Sequence, residues 1–121
     1  MSVEFAIGTA AAAFAFMGLA AIFAPTRVTE QFDIPSLSAA GRNEVRAVYG
    51  GFGLAICAML ITALAMPEMR GGVCLTVAAA LGGMAGGRSL SAAMDRTLGG
   101  FPALYLGIET IGASMLLYAA S

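Results

Sequence analysis

The sequence contains no histidine, no tryptophan and no lysine among its 121 residues, and only 11% of them are charged. Histidine is the commonest metal ligand and acid–base group in proteins, so its absence argues against a metal centre and against most general acid–base catalysis. Six arginines and seven acidic residues leave a net charge of −1, which is too little positive charge for a nucleic-acid surface. We therefore expect no nucleic-acid partner, no metal and no cofactor.

Apolar residues make up 60% of the chain, and the mean hydropathy is +0.88. A soluble domain usually carries about 25% charged residues, more than twice the fraction found here. A transmembrane helix needs about 20 mostly apolar residues, and the sequence offers four such runs, of which Pro25 and Pro67 end the first two. It predicts an all-α, polytopic membrane protein, a four-transmembrane-helix bundle with short loops, folded as a single domain over residues 1–121, with spans at about 3–24, 44–66, 72–93 and 101–120.

One connection is longer than a turn, and it joins the first two runs. Val28 and Phe32 lie four residues apart in it, as they would on a short helix over residues 27–34 at the membrane surface. An irregular loop with two incidental apolar residues is the alternative. Ser38 is a typical N-cap residue, so the second helix is expected to begin outside the hydrocarbon.

The arginines predict the orientation of the chain. With four spans, both termini share one side with the turn after Pro67, where Arg70 is the flanking arginine. Arg27, Arg42 and Arg96 lie at the other side. Because flanking arginines are retained on the cytoplasmic side of a membrane, we expect both termini to face outward.

Four charged residues lie too deep to be explained as solvated helix ends. Arg46, Arg88 and Glu109 fall inside apolar runs, and Asp95 follows the third run on the same helix face as Arg88. An ionisable side chain inside a bilayer costs several kcal/mol unless it is paired or hydrated. At 1.5 Å per residue, Arg46 lies about 3 to 5 Å, Arg88 about 8 Å and Glu109 about 12 Å inside the same face. One layer of the inner leaflet can therefore hold all three groups.

We expect Arg88 to pair with Glu109, and Arg46 to join them with Glu44 or Asp95 balancing its charge. One interpretation is a buried ion pair that only fixes the register of the helices. The other is the polar floor of a pocket for a lipid-like or other amphiphilic ligand. Hydroxyl groups near this layer belong to Tyr49, Ser91 and Tyr105. The predicted polar cluster or ligand-binding set is Arg46, Tyr49, Arg88, Asp95 and Glu109.

Glycines cluster in the second and third runs at spacings that include G-x-x-x-G. This spacing allows helix backbones to approach closely in lipid. A dinucleotide-binding G-x-G-x-x-G is absent. We predict that helix packing is the role of Gly50, Gly51, Gly82, Gly83, Gly86 and Gly87. Cys57 and Cys74 should differ in height by roughly 9 Å, too far for a disulfide.

The deep charges lie within short motifs that carry a resemblance to a known family. These motifs are Arg46-Ala-Val-Tyr-Gly-Gly51, Gly87-Arg88, Asp95, Pro102 and Glu109. In length, span order and these positions, the chain resembles a bacterial family of small four-helix membrane proteins, domain of unknown function 4345. The resemblance implies that the deep charges are a recurring set and that the protein lies in the bacterial inner membrane. It implies no established activity.

Three functions fit these features to different degrees. The first is a non-enzymatic membrane protein that binds lipids or an apolar small molecule, or that packs into a homo-oligomer or a larger membrane complex. The second is a small proton- or ion-coupled transporter that uses Glu109 as its carrier group. An enzyme with Glu109 or Asp95 as acid or base is the least supported, because no nucleophile, histidine or metal set accompanies them. The space beside Arg88 should distinguish these functions.

Overall fold

The protein is known here from a computed structural model, which describes residues 1–121 and contains helices but no strands. Four helices are long and apolar enough to cross a membrane, which confirms the all-α, four-span prediction. We call Val3–Phe23, Ala39–Ala65, Pro67–Asp95 and Gly100–Ala120 the first to fourth spans. In chain order the elements are α1 (Val3–Phe23), α2 (Pro25–Glu30), α3 (Ala39–Val45), a π-helical segment (Arg46–Gly51), α4 (Phe52–Ala65), a 3-10 turn (Pro67–Met69), α5 (Arg70–Asp95) and α6 (Gly100–Ala120).

Side-chain caps fix where the first two spans begin. The Ser2 hydroxyl accepts a hydrogen bond from the Phe5 amide at 3.0 Å, and the Ser38 hydroxyl accepts one from the Gly41 amide at 3.1 Å. Each cap satisfies an amide that has no partner inside its helix. The second helix therefore begins at Ala39, five residues before the start of its apolar run.

The connection between the first two spans is partly helical. Its helix, α2, runs from Pro25 to Glu30, and residues 31–37 are irregular. The Ile34 amide donates to the Thr29 carbonyl at 3.1 Å, and the Asp33 amide donates to the Glu30 carbonyl at 3.2 Å. This hydrogen-bond pattern is a Schellman motif, which ends a helix with one residue in the left-handed region. Asp33 is that residue, with φ of 65°.

The tightly packed core lies in the half of the bundle that contains the chain termini. The first span packs along the second and also contacts α6, while α5 packs chiefly along α6. The largest fully buried side chains are Ile7, Leu60, Leu116 and Cys74. The buried residues of α5 lie between Cys74 and Leu81, and no residue of this helix after Leu81 is buried. The second half of α5 therefore has little packed against it apart from α6.

Three glycines bring the first and second spans into close contact. A Cβ atom at Gly50 would lie 2.6 Å from Cγ1 of Ile22, and one at Gly18 would lie 2.9 Å from the Gly50 carbonyl oxygen. A Cβ atom at Gly53 would lie 3.1 Å from the carbonyl oxygen of Phe14. Such short distances leave no room for a larger residue, so the close packing predicted for Gly50 is present.

The other predicted packing glycines have no close neighbour within this chain, so a role in helix packing stays a prediction for them. A Cβ atom would meet no neighbour within 4 Å at four positions on α5, and at Gly51 it would meet only the Arg46 carbonyl oxygen, at 3.8 Å. Their exposure follows from the fold, because the second half of α5 packs chiefly on α6 and a gap separates it from the second span. The four are Gly82, Gly83, Gly86 and Gly87.

Candidate ligand-binding site

The third and fourth spans are joined by a bidentate ion pair. Arg88 Nε donates to Glu109 Oε1 at 2.7 Å, and Arg88 Nη2 donates to Glu109 Oε2 at 3.1 Å. The Glu109 side chain is only 5% exposed, whereas that of Arg88 is 24% exposed. Two parallel charge-assisted hydrogen bonds of this kind fix both side chains in one geometry. The predicted pairing of Arg88 with Glu109 is confirmed.

Two aromatic side chains lie next to Arg88, Phe32 from the α2–α3 connection and Tyr105 from α6. The guanidinium carbon of Arg88 lies 5.5 Å from the ring centre of Tyr105 and 5.8 Å from that of Phe32. The two rings are themselves 5.6 Å apart. Both distances to Arg88 are within the range of cation–π attraction. The aromatic rings therefore help to hold the guanidinium where its partner carboxylate places it.

A side-chain hydrogen bond ties this connection to the fourth span. The Tyr105 hydroxyl donates to Gln31 Oε1 at 2.7 Å. The sequence places Tyr105 near the charged layer, but it does not identify Gln31 as its partner. The residues are 74 positions apart, and a glutamine in a polar connection carries no signal of a long-range contact. Phe32 had such a signal, because it is one of the two apolar residues of the predicted surface helix.

A cavity of about 780 Å³ lies next to the ion pair. Arg88, Ser91 and Asp95 line it from successive turns of α5, while Tyr49 lines it from the π-helical segment. The connection before α3 and the loop before α6 supply the rest of its wall. The cavity exists because the second half of α5 packs on α6 alone, which leaves a gap toward the second span.

Arg88 faces this cavity, whereas Glu109 does not line it. Nε and Nη2 of Arg88 bind the carboxylate, and Nη1 has no acceptor within the chain. No buried polar side-chain atom lacks a hydrogen-bond partner, so Nη1 is not buried, and Arg88 lines the cavity. The ion pair thus presents unused N–H donors to the cavity, while its carboxylate lies behind them.

The π-helical segment accounts for the position of Tyr49. A π-helix has about one more residue per turn than an α-helix. Residues before the π-helical segment are therefore rotated about the helix axis relative to those after it. Such segments occur often at functional sites. Tyr49 is 39% exposed and lines the cavity, and the next residue, Gly50, packs against α1. The segment thus combines a packing glycine with a cavity-lining tyrosine.

The structure brings only part of the predicted cluster together. Tyr49, Asp95 and Arg88 line one cavity, and Glu109 is bound to Arg88. Neither Tyr49 nor Ser91 donates to the ion pair.

Arg46 does not join this cluster, so that prediction is wrong. Its Nε donates to the carbonyl of Ile22 at 2.9 Å, and neither Glu44 nor Asp95 forms an ion pair with it. Ile22 lies in the last turn of α1, where carbonyl groups lack helical partners and carry partial negative charge. The end of α1 therefore supplies the acceptor that the sequence assigned to a carboxylate.

The fold and the cavity define the class to which the chain belongs, a small helical protein with four candidate membrane spans and a polar recess at one end. The family model described as Domain of unknown function (DUF4345) matches residues 2–120, so the chain belongs to that family. This confirms the resemblance drawn from the sequence motifs. No curated protein and no solved structure matches the chain.

Proposed function

We propose that the protein is a non-enzymatic membrane protein that binds the polar head of a lipid or other amphiphile in the cavity beside Arg88. The observation that carries the proposal is the guanidinium with free N–H donors at the wall of a 780 Å³ space. Ligand-binding cavities usually measure about 300 to 1,000 Å³ and contain a few fixed polar groups among apolar ones. A guanidinium fixed by a carboxylate on another helix is such a group.

The ion pair also explains why binding needs no large rearrangement. Arg88 is held by two hydrogen bonds and two aromatic rings, so its remaining donors are already oriented in the free protein. Fixing a group in advance reduces the entropy that binding would otherwise cost. A ligand with an oxygen acceptor would therefore gain a hydrogen bond without displacing Glu109.

A transport function that uses Glu109 has less support. A carrier carboxylate must exchange protons or ions with water on both sides of the membrane. Glu109 is 4% exposed and both of its oxygens bind Arg88. The cavity reaches the guanidinium rather than the carboxylate, which favours binding over transport.

We further propose that the protein lies in the bacterial inner membrane with both termini facing outward, among membrane lipids as partners. The asymmetry of the flanking arginines supports this orientation. A Ser121→Cys variant that also lacks Cys57 and Cys74 tests it with a maleimide that cannot cross membranes. Labelling of intact cells is the expected result, and labelling only after cell lysis would reverse the orientation.

A pair of matched substitutions tests ligand binding without touching the ion pair. Ser91 lines the cavity, whereas Ser89 lies two residues away on the same helix, exposed and outside it. Ser91→Phe should fill part of the cavity, and Ser89→Phe should not. We expect native mass spectrometry from a mild detergent to show bound amphiphile on the wild type and on Ser89→Phe, with loss of it from Ser91→Phe. The same spectra give the number of copies per complex.

Equal occupancy in the two variants would place the amphiphile elsewhere on the protein. A wild type that carries no amphiphile after extraction from the membrane, and takes up none from added lipid, would overturn the proposed function.

A further inference from the structure

The cavity beside Arg88 carries a net negative charge. Among the residues that line it, the charged ones are Arg88, Asp33 and Asp95. The charge of Arg88 is already balanced by Glu109, and neither aspartate forms an ion pair, since the salt bridges of the protein join Arg88 to Glu109 and Arg70 to Glu4. Two uncompensated carboxylates therefore remain at its wall, and these would repel an anionic head group and attract a cationic one.

The aromatic part of the lining favours the same kind of ligand. Phe32, Tyr49 and Phe101 line the cavity together with the two aspartates. The faces of aromatic rings attract alkylammonium groups, and quaternary ammonium ligands are typically bound among such rings. Aromatic side chains and carboxylates that line one cavity are thus two separate features that point to an ammonium group.

The depths of the charged groups match the order of groups in an amphiphile. Arg88 and Asp95 are seven residues apart on α5, so they lie on the same helix face and about 10 Å apart along its axis. Asp95 is the last residue of α5, and Arg88 lies closer to the apolar middle of the span. A ligand with its tail in the hydrocarbon would meet the guanidinium first and the carboxylates last.

We infer that the cavity selects an amphiphile whose head group ends in an ammonium group. This inference rests on the proposed function and adds the chemical class of the ligand. Two sources provide the chemistry: an aminophospholipid, in which a phosphate lies between the tail and the ammonium, and a lipophilic amine without a phosphate. Arg88 would bind the phosphate oxygens of the first, and Asp33 and Asp95 would face the ammonium of either.

Competition between lipids of different charge tests the inference on the full chain. The purified protein is mixed with equal amounts of phosphatidylethanolamine and phosphatidylglycerol of matched tails, and bound lipid is measured by native mass spectrometry. A second sample contains the protein with a single-chain alkylamine. We expect the wild type to prefer the ammonium lipid about fivefold or more, as one to two partly exposed ion pairs would produce. Asp95→Asn and Asp33→Asn should each reduce the preference, and together they should abolish it.

The variants are chosen to preserve the fold. Asparagine is close in shape to aspartate and tolerates the left-handed backbone at Asp33. Glu30→Gln is the matched control, because Glu30 is an exposed carboxylate in the same connection that does not line the cavity. This control should keep the wild-type preference.

Each outcome separates the inference from the proposed function. Equal binding of both phospholipids, or preference for phosphatidylglycerol, would overturn the ammonium selection while the amphiphile site stood, provided that Ser91→Phe still abolished binding. Binding of the alkylamine without the phospholipid would identify the lipophilic amine as the source and would support the inference. Loss of preference in Glu30→Gln as well would show that the connection as a whole carries the effect, and would overturn it.

Discussion

The Arg88–Glu109 ion pair can be tested by replacing its members singly and together. Arg88→Met leaves the Glu109 carboxylate, 5% exposed, without a partner, and stranding a buried charge costs about 3 to 5 kcal/mol of unfolding free energy. Glu109→Leu leaves an arginine that is 24% exposed and reaches the cavity, so we expect a smaller cost of about 1 to 3 kcal/mol. The double variant removes both charges, and such replacements are often neutral. It should therefore lie within about 1 kcal/mol of the wild type.

The assay is reversible unfolding in mixed micelles as the fraction of denaturing detergent increases. The expected signature is a larger loss in Arg88→Met than in Glu109→Leu, with recovery in the double variant. Losses that simply add in the double variant would show that the two side chains do not act as a pair, and a larger loss in Glu109→Leu would contradict the assigned burial. The double variant also separates structure from function. If it is stable and still retains amphiphile, the ion pair only fixes helix register.

Three further predictions concern the framework around the site. Gly18→Ala should lose about 1 to 3 kcal/mol of stability in the same assay, because the new Cβ would lie 2.9 Å from a carbonyl oxygen. The control Gly8→Ala has open space around it and should lose none. Equal losses in the two variants would contradict the close packing. Tyr105→Phe removes the hydrogen bond to Gln31, worth about 1 kcal/mol, so hydrogen exchange of the backbone amides in the α2–α3 connection should accelerate. Unchanged exchange would show that this hydrogen bond does not hold the connection. Arg70→Leu removes hydrogen bonds at 2.9 and 3.0 Å to carbonyl groups in the last turn of α4. It should lose about 2 kcal/mol, whereas an isolated surface arginine would lose almost nothing.

The spans and the ion pair could be predicted because both depend on burial of charge. Long uncharged runs are uncommon outside membranes, and an acidic group deep in such a run needs a cation at similar depth. Glu109 has no cation in its own span, and Arg88 lies at a matching depth on the neighbouring span. Depth was therefore enough to bring Arg88 and Glu109 together.

Depth was not enough for Arg46, whose height also matches the layer. A sequence gives the height of a side chain along its helix. Which neighbouring helix that side chain faces depends on how the helices pack around one another. Arg46 faces the end of α1 and binds the Ile22 carbonyl. The partner of Arg46 is a backbone carbonyl. Unpaired carbonyl groups are present at the end of every helix, so the composition of the sequence cannot identify one of them as the partner.

The glycines show the same limit in another form. G-x-x-x-G spacing records that a helix is able to approach a neighbour closely, but it does not say which neighbour is present. Gly18 and Gly50 face each other across the first two spans although neither has a glycine four residues away. Gly82, Gly83, Gly86 and Gly87 have that spacing, yet a Cβ atom there would meet no neighbour within 4 Å.

The π-helical segment Arg46–Gly51 makes the length of the second span a marker of whether Tyr49 lines the cavity. A π-helix arises when one residue is inserted into an α-helix, and loss of that residue restores regular winding. A relative with one residue fewer in this stretch would still fold as four spans, but the residue corresponding to Tyr49 would turn away by roughly one hundred degrees. Counting residues here would thus sort members of the family into those that keep this side chain at the cavity wall and those that do not.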